Sequence, residues 1–286
     1  MAAALIDGLA LAETLKQEVR ARVGALGRPV QLTAILVGGT HAAELYAHRQ
    51  AEACRAVGID YQLLKLPAET SARQLKLEIR RLNADRAVTG IMMHLPLPPQ
   101  LNAARMQYEI DVVKDVEGVN PANIGYVVYG RTLIAPCTAL SVIELIKSTS
   151  VPLRGAEAVV VGASEIAGKP IALLLAEQMA TVTLCHVATR NLIDHTRRAE
   201  VLVVAVGKPG LITAEHVRPG ATVIDVGINR VTLPDGTKKT VGDVAFDEVR
   251  DKAGHLTPVP GGVGPMTVAM LLRNTLRSAE ILAEKP

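Results

Sequence analysis

Aromatic residues are scarce in this 286-residue chain, which has no Trp, one Phe and five Tyr, so that aromatics make up only 2% of it. Hydrophobic residues as a whole nevertheless make up 49% of the sequence. The core must therefore be built from Val, Ile, Leu, Ala and Met. Aliphatic runs of this kind are typical of parallel strands that helices cover on both faces, which predicts an α/β fold.

Cysteine is also scarce, and the three that occur, Cys54, Cys137 and Cys185, form no CxxC pair. Their odd number and wide spacing argue against a disulfide framework and a structural zinc site. No cluster of His, Asp or Glu has the spacing of metal ligands, so we predict no metal. The expected setting is a reducing one, which favours a cytoplasmic location.

Long apolar runs and an excess of one charge are missing as well. No run approaches the roughly 20 residues that cross a bilayer, and the opening residues lack the basic and apolar regions of a signal peptide. The 31 Lys and Arg nearly balance the 28 Asp and Glu, which leaves a net charge of +3. We therefore expect no membrane partner and no nucleic-acid partner.

Two series of alternating strands and helices are predicted from the spacing of apolar residues. The predicted strands of the two series are 30–37, 60–66, 90–94, then 157–161, 181–185, 201–205 and 222–226. Residues 114–137, which are rich in Asn, Gly, Pro and Tyr, are interpreted as a loop or hinge. A hairpin with Pro-Asp-Gly at its tip is predicted over 231–240, and a long helix from residue 267 onward.

A turn of small residues follows the first strand of the second series. The strand runs into Gly162-Ala163-Ser164, and a helix is predicted to begin near Gly168. Small residues allow a pyrophosphate to approach, the free N–H groups of a helix start attract its charge, and a glycine at 168 would let the helix pack on the strand. Ser164 stands where the full G-x-G-x-x-G pattern has its second glycine, so a purely structural turn is the alternative interpretation.

The residues that follow the next strand bear on the choice between NAD and NADP. Strand 181–185 is followed by His-Val-Ala-Thr-Arg, without the Asp or Glu that binds ribose hydroxyls in NAD enzymes. Arg190 is near enough to this strand to meet a 2′-phosphate, which favours NADP. The alternative interpretation is that Arg190 is a solvated residue at the start of a helix. Turns at Gly207 and at Gly227-Ile228 follow two further strands, where the ligand crevice of an open α/β sheet forms.

A loop with three glycines and three prolines, 257–267, reads Thr-Pro-Val-Pro-Gly-Gly-Val-Gly-Pro-Met-Thr. It resembles the signature of the methylenetetrahydrofolate dehydrogenase/methenyltetrahydrofolate cyclohydrolase family. Further motifs of this family are similar to Gly162-Ala163-Ser164 with Gly168-Lys169-Pro170, to 206–210, to 225–229 and to 241–244. The resemblance runs from Gly8 to about Asn274, nearly the whole chain.

The resemblance implies an N-terminal α/β substrate domain and a C-terminal Rossmann-like domain with a cleft between them. The first would span 1–138, completed by a C-terminal helix over 267–286, and the second 139–266. It also implies a homodimer that uses NADP to oxidise 5,10-methylenetetrahydrofolate, and many members then hydrolyse the product to 10-formyltetrahydrofolate. The cofactor-binding residues predicted from the turns and the resemblance are Gly162, Ala163, Ser164, Arg190, Gly207 and Ile228.

The sequence departs from the family pattern in its first half. Tyr46 is kept, but Gln50 stands where the family has Lys, His94 where it has Gln, and Glu117 where it has the second Asp of Lys-Asp-Val-Asp-Gly. In relatives these three positions meet the pterin or the reacting carbon. We therefore predict as catalytic Tyr46, Gln50 and His94. The predicted substrate-binding residues are Tyr46, His94, Leu95, Glu117, Pro260 and Gly261.

These departures affect the two reactions differently. Hydride transfer depends on position and needs no proton donor, whereas hydrolysis of the methenyl cation needs a group that moves protons. Gln50 cannot titrate, while His94 can. Three hypotheses follow: a dehydrogenase with weak or no cyclohydrolase activity, a fully bifunctional enzyme that uses His94, and a diverged relative that acts on another folate derivative or only binds it.

Overall fold

The computed structural model describes residues 2–39, 41–232 and 236–284 of the chain. Its helices are α1 (Gly8–Ala25), α2 (His41–Ala56), α3 (Ala72–Ala84), α4 (Ala103–Gln107), α5 (Pro121–Val128), α6 (Cys137–Lys147), α7 (Gly168–Glu177), α8 (Leu192–Thr196), α9 (Phe246–Arg250) and α10 (Val263–Glu284). Its strands are β1 (Ala4–Leu5), β2 (Gln31–Val37), β3 (Asp60–Leu66), β4 (Gly90–Met93), β5 (Glu157–Val161), β6 (Thr181–Cys185), β7 (Val201–Val204), β8 (Thr222–Asp225), β9 (Asn229–Thr232), β10 (Lys238–Val241) and β11 (His255–Leu256).

The chain divides into two compact units. The N-terminal unit comprises 13–137 with 268–286, and the C-terminal unit comprises 1–12 with 138–267. The α/β prediction is confirmed in both. Strand β1 pairs with β11 in the sheet of the C-terminal unit, so the first residues lie there rather than with 13–137.

The N-terminal unit is built on a three-stranded parallel sheet in the order β3-β2-β4. One face packs on apolar residues of α1, α2 and α10, and the other on α3 and α4. The core is aliphatic, as predicted. Phe246 of the C-terminal unit and the five tyrosines, all within the described residues, each keep part of their surface exposed.

The C-terminal unit is built on a six-stranded parallel sheet in the order β1-β11-β8-β7-β5-β6. Strand β5 lies between β6 and β7. The chain therefore passes from β5 to β6 on one side of it and then crosses back to β7 on the other side. In such sheets ligands bind beyond the carboxyl ends of the strands at this point of reversal. Strands β9 and β10 form the predicted antiparallel hairpin. Its predicted tip includes Pro234 and Asp235, which lie outside the described residues.

Two predictions about the connecting segments were wrong in part. The segment 114–137, interpreted as a loop, contains helix α5, which begins because Asn120 caps it through the N–H of Ala122 at 2.9 Å and Pro121 takes its first position. The C-terminal helix begins at Val263, four residues before the predicted start, so the second half of the Gly/Pro-rich loop is helical.

Lys114 connects the segment that leads to Glu117 with the C-terminal end of α3 through hydrogen bonds. Its buried ammonium donates hydrogen bonds to the carbonyl oxygens of Leu82, Asn83 and Asp85 at 3.0, 2.8 and 2.7 Å. The carbonyls of Leu82 and Asn83 belong to the last turn of α3, where they lack partners within the helix and carry its negative dipole end. The neighbouring backbone bonds to β4, where the N–H of Ile91 donates to the carbonyl of Lys114 at 2.8 Å.

No helix in the described part of the chain is long and apolar enough to span a bilayer. Among the same residues, no group of three or more His, Cys, Asp and Glu side chains is arranged to hold a metal ion.

We predict that Lys114→Met lowers the free energy of unfolding by about 3 kcal/mol, because it leaves the carbonyls of Leu82 and Asn83 without this donor. Urea unfolding followed by circular dichroism measures the change. Lys65→Met is the matched control, since Lys65 forms an exposed ion pair with Glu44, and such pairs contribute about 0–1 kcal/mol. Equal effects of the two substitutions would contradict this role of Lys114.

Candidate functional site

A cavity of about 380 Å³ in the N-terminal unit gathers most of the residues predicted to bind substrate. Four of them, Tyr46, His94, Leu95 and Glu117, line it. The other lining residues are Ala43, Met92, Met93 and Pro96. The cavity forms where α2 faces the end of β4, so one wall is helical and the other is the turn that follows the strand.

His94 follows the last residue of β4, and its N–H donates to the carbonyl of Ile35 at 2.9 Å. Its ring meets the Tyr46 ring edge to face, with centroids 5.9 Å apart and planes at 90°. Burial lowers the pKa of His94 below its usual value, so the imidazole is neutral near pH 7. Burial raises the pKa of Tyr46, an effect that the nearby Glu117 and Cys137 strengthen.

Glu117 is the acid of this cavity. Its Oε2 accepts a hydrogen bond from the N–H of Met93 at 3.2 Å. Burial raises the pKa of Glu117 to about 7, the bond from Met93 opposes this rise, and the charge of Asp115 adds to it. The carboxyl group therefore titrates in the range where a group that moves protons works best.

Gln50 does not line the cavity, although sequence reasoning predicted a catalytic role for it. It lies one turn of α2 beyond Tyr46 and is 3% exposed. The hydroxyl of Tyr61 donates to Oε1 of Gln50 at 3.1 Å and lies 3.3 Å from Nε2 of His94. Tyr61, on β3, was missed by the sequence analysis. The one available signal was the presence of Tyr61, one of only five tyrosines in the chain, within the predicted strand 60–66.

The predicted dinucleotide turn lies between β5 and α7 in the C-terminal unit. Gly162 has φ = +113°, and a Cβ there would lie 2.1 Å from the carbonyl oxygen of Ala205. A Cβ on Gly168 would lie 1.8 Å from the carbonyl oxygen of Gly162, which confirms that this glycine allows the helix to pack on the strand end. The hydroxyl oxygen of Ser164 accepts from the N–H of Gly168 at 3.3 Å.

The other predicted cofactor residues lie on turns at the same edge of the sheet. Arg190 is exposed in the turn that follows β6. Gly207 follows β7, with φ = +69° and its N–H on Oδ2 of Asp243 at 2.9 Å. The turn after β6 also contains Val187, the most exposed apolar side chain described.

Two buried acids, Asp225 and Asp243, accept hydrogen bonds from these turns. They lie in the motifs 225–229 and 241–244, and no role was predicted for them. Asp243 accepts hydrogen bonds from the N–H groups of Val206 and Gly207 and from the amide of Asn229, at 2.7, 2.9 and 2.9 Å. Asp225 accepts from the N–H groups of Gly227, Asp243 and Val244, at 2.9, 3.0 and 2.9 Å. Burial raises the pKa of Asp225 to about 6, against the effect of these N–H groups.

A second cavity, of about 280 Å³, lies in the C-terminal unit and contains the last three predicted site residues. Ile228, Pro260 and Gly261 line it together with Leu9. Ile228 is 68% exposed, an unusual state for isoleucine. The structure therefore groups Pro260 and Gly261 with Ile228 inside one unit, and Tyr46, His94, Leu95 and Glu117 inside the other.

Comparison with known proteins identifies the family. Residues 6–117 match the tetrahydrofolate dehydrogenase/cyclohydrolase catalytic domain, and residues 136–283 match the NAD(P)-binding domain of the same family. The chain belongs to the tetrahydrofolate dehydrogenase/cyclohydrolase family. The predicted resemblance is confirmed, and so is the assignment of the second half to nicotinamide dinucleotide binding.

Relatives match the enzyme over its whole length. It is 47% identical over 283 residues to the bifunctional protein FolD of Paraburkholderia phytofirmans, covering 98% of both chains. The crystal structure of the bifunctional FolD of Campylobacter jejuni superposes with a TM-score of 0.93 at 40% identity, covering 98% and 99% of the two chains. FolD of Trypanosoma brucei, solved with NADP and an inhibitor, has a TM-score of 0.93 at 37% identity and 99% coverage of both.

We predict that Gly168→Ala weakens NADP binding by at least about tenfold and lowers stability by more than about 2 kcal/mol, because the added methyl group collides with backbone. Titration calorimetry and thermal unfolding measure the two effects. Gly24→Ala is the control, since a Cβ at this helical position meets nothing within 4 Å. If Gly168→Ala bound NADP like the unchanged enzyme, the packing argument for this turn would fail.

Proposed function

We propose that this enzyme oxidises 5,10-methylenetetrahydrofolate to 5,10-methenyltetrahydrofolate with NADP and hydrolyses the methenyl product slowly or not at all. The observation that carries the proposal is the state of Gln50. It stands where the family pattern has Lys, it is buried, and its amide oxygen is bound by Tyr61. An amide neither takes up nor releases a proton near pH 7, so this position supplies no base for water.

The oxidation asks less of the protein. A hydride leaves the methylene carbon of the folate and reaches C4 of the nicotinamide that NADP supplies when it is bound. The folate becomes a cation, and no protein group has to move a proton. The protein's contribution is to bind and orient, and the cavity lined by Tyr46, His94, Leu95 and Glu117 offers an apolar wall with a few polar groups for a flat pterin.

NADP is supported by this chain's residues and by one relative. The exposed Arg190 follows β6, and its turn has no Asp or Glu to bind ribose hydroxyls and repel a 2′-phosphate. The FolD of Trypanosoma brucei was solved with NADP. We place NADP against the turn formed by Gly162, Ala163 and Ser164, with Arg190 at its 2′-phosphate and Gly207 and Ile228 along its length. The homodimer implied by the resemblance and the cytoplasmic location expected from the cysteines stay predictions.

A second candidate function is the full pair of reactions. It is favoured by His94 and Glu117, which both line the cavity and both carry a titratable side chain, that of Glu117 with a pKa of about 7. Either side chain has the chemistry to take the proton from an attacking water. A ligand-binding protein without turnover is the third candidate. Reduction of NADP by methylenetetrahydrofolate, followed by absorbance, excludes it when the rate is above background.

We predict that Gln50→Lys raises the rate of methenyltetrahydrofolate hydrolysis by at least about a hundredfold, since a positioned acid–base group contributes about 10²–10⁴-fold. The decay of methenyltetrahydrofolate absorbance measures this rate. Gln50→Met is the control, because its side chain has a similar length and no titratable group. If the unchanged enzyme already hydrolyses the compound as fast as Gln50→Lys, the proposal is wrong and the bifunctional candidate stands.

We predict that folate binding tightens as pH rises through about 7, where Glu117 loses its proton. The ionised carboxylate is the stronger acceptor for the N–H groups of the pterin. Burial lowers the pKa of His94, so this imidazole loses its proton at a lower pH than Glu117 does. The KM for methylenetetrahydrofolate as a function of pH is the measurement. Glu117→Gln should give a KM that no longer changes between pH values on either side of about 7.

A further inference from the structure

Tyr61, on β3, links Gln50 and His94, two of the three residues at which the sequence departs from the family pattern. Its hydroxyl oxygen is 3.1 Å from Oε1 of Gln50, on α2, and 3.3 Å from Nε2 of His94, after β4. Its ring packs on the same apolar cluster as Ala53 and Cys54 of α2. A residue held in this way by three elements has little freedom to rotate its hydroxyl group out of the contact.

The hydroxyl group has one proton to donate to two neighbours. Burial raises the pKa of Tyr61, as do the nearby Cys54 and Tyr46, so the phenol keeps its proton. In the structure this proton goes to Oε1 of Gln50. The contact with His94 is then a hydrogen bond only if Nε2 of the imidazole carries its own proton and donates it to the phenol oxygen. A neutral imidazole in that state has its acceptor at Nδ1.

The orientation of the Gln50 amide and the tautomer of His94 are therefore linked. Nε2 of Gln50 is buried and has no hydrogen-bond partner within the described residues. If the amide turned over, its NH₂ group would donate to Tyr61, the phenol would donate a hydrogen bond to Nε2 of His94, and the imidazole would carry its proton on Nδ1. The two arrangements present opposite polarity to the cavity that His94 lines.

We propose that Tyr61 is a positioning residue which, together with Gln50, holds His94 with its proton on Nε2, so that Nδ1 accepts a hydrogen bond from an N–H group of the pterin. The part that concerns the pterin rests on the proposed function. The other groups near the imidazole are Tyr46 from α2, which meets the ring edge to face, and Glu117, which lines the same cavity. Neither of these has a hydrogen bond to His94 in the structure.

The tautomer is tested on the full-length protein without ligand. Protein with ¹⁵N-labelled histidine gives a long-range ¹H–¹⁵N spectrum in which the two tautomers have distinct nitrogen shifts, and His94→Asn identifies the signals of His94. At mildly alkaline pH we expect the Nε2–H form in the unchanged protein. Tyr61→Phe, which keeps the ring and its packing, should give a mixture of both forms. Tyr46→Phe is the matched control and should leave the tautomer as it was.

Two substitutions at Gln50 should act in opposite directions. The carboxylate introduced by Gln50→Glu can only accept from Tyr61, so the Nε2–H form should persist. The ammonium introduced by Gln50→Lys can only donate to Tyr61, so the phenol donates its hydrogen bond to Nε2 of His94 and the Nδ1–H form should dominate. An Nδ1–H form in the unchanged protein, or one tautomer common to all these variants, would overturn the proposal.

Steady-state kinetics tests the contact with the pterin. Tyr61→Phe should raise the KM for methylenetetrahydrofolate about three- to tenfold, the effect of one weakened hydrogen bond, and leave kcat of the dehydrogenase within about twofold. An unchanged KM in Tyr61→Phe overturns the contact with the pterin. If the unchanged protein reduces no NADP at all, the proposed function is wrong. The tautomer measurement still tests the role of Tyr61, because it is made without ligand.

Discussion

The buried hydrogen bond between Gln50 and Tyr61 is the contact from which the chemistry of the N-terminal unit follows. It holds an uncharged amide at a position to which the resemblance assigns an amine, and Oε1 of that amide accepts a hydrogen bond from a tyrosine. The cavity is left with His94 and Glu117 as its titratable groups beside Tyr46. Such a lining can bind and orient a pterin, which suffices for hydride transfer but supplies no lysine for the attack of water.

In the C-terminal unit, buried carboxylates and glycines fix the backbone of the turns at the edge of the sheet. The carboxylates of Asp225 and Asp243 accept six hydrogen bonds between them from the turns after β7 and β8 and from the strand end that carries Asp243 itself. Gly162 and Gly168 allow the turn before α7 to lie against its neighbours without a side chain between them. Rigid turns of this kind position a bound dinucleotide without ordering loops at the moment of binding.

Sequence reasoning located most of the regular structure, because each aliphatic run is bounded by Gly, Pro or polar residues. Strands β3, β5 and β6 have the predicted bounds. Helix α5 was missed because its start depends on capping by Asn120, within a segment whose composition is typical of loops. The relation among Gln50, Tyr61 and His94 could not be predicted, since it joins a helix, a strand and a turn that are far apart in the sequence.

The fate of the methenyl group in the unchanged enzyme tests the account most directly. In a single reaction with NADP and methylenetetrahydrofolate, NADPH, methenyltetrahydrofolate and 10-formyltetrahydrofolate are followed together, in a buffer where uncatalysed hydrolysis is slow. The account predicts that methenyltetrahydrofolate accumulates nearly in step with NADPH. Formation of 10-formyltetrahydrofolate in step with NADPH, without accumulation of the methenyl compound, would contradict it.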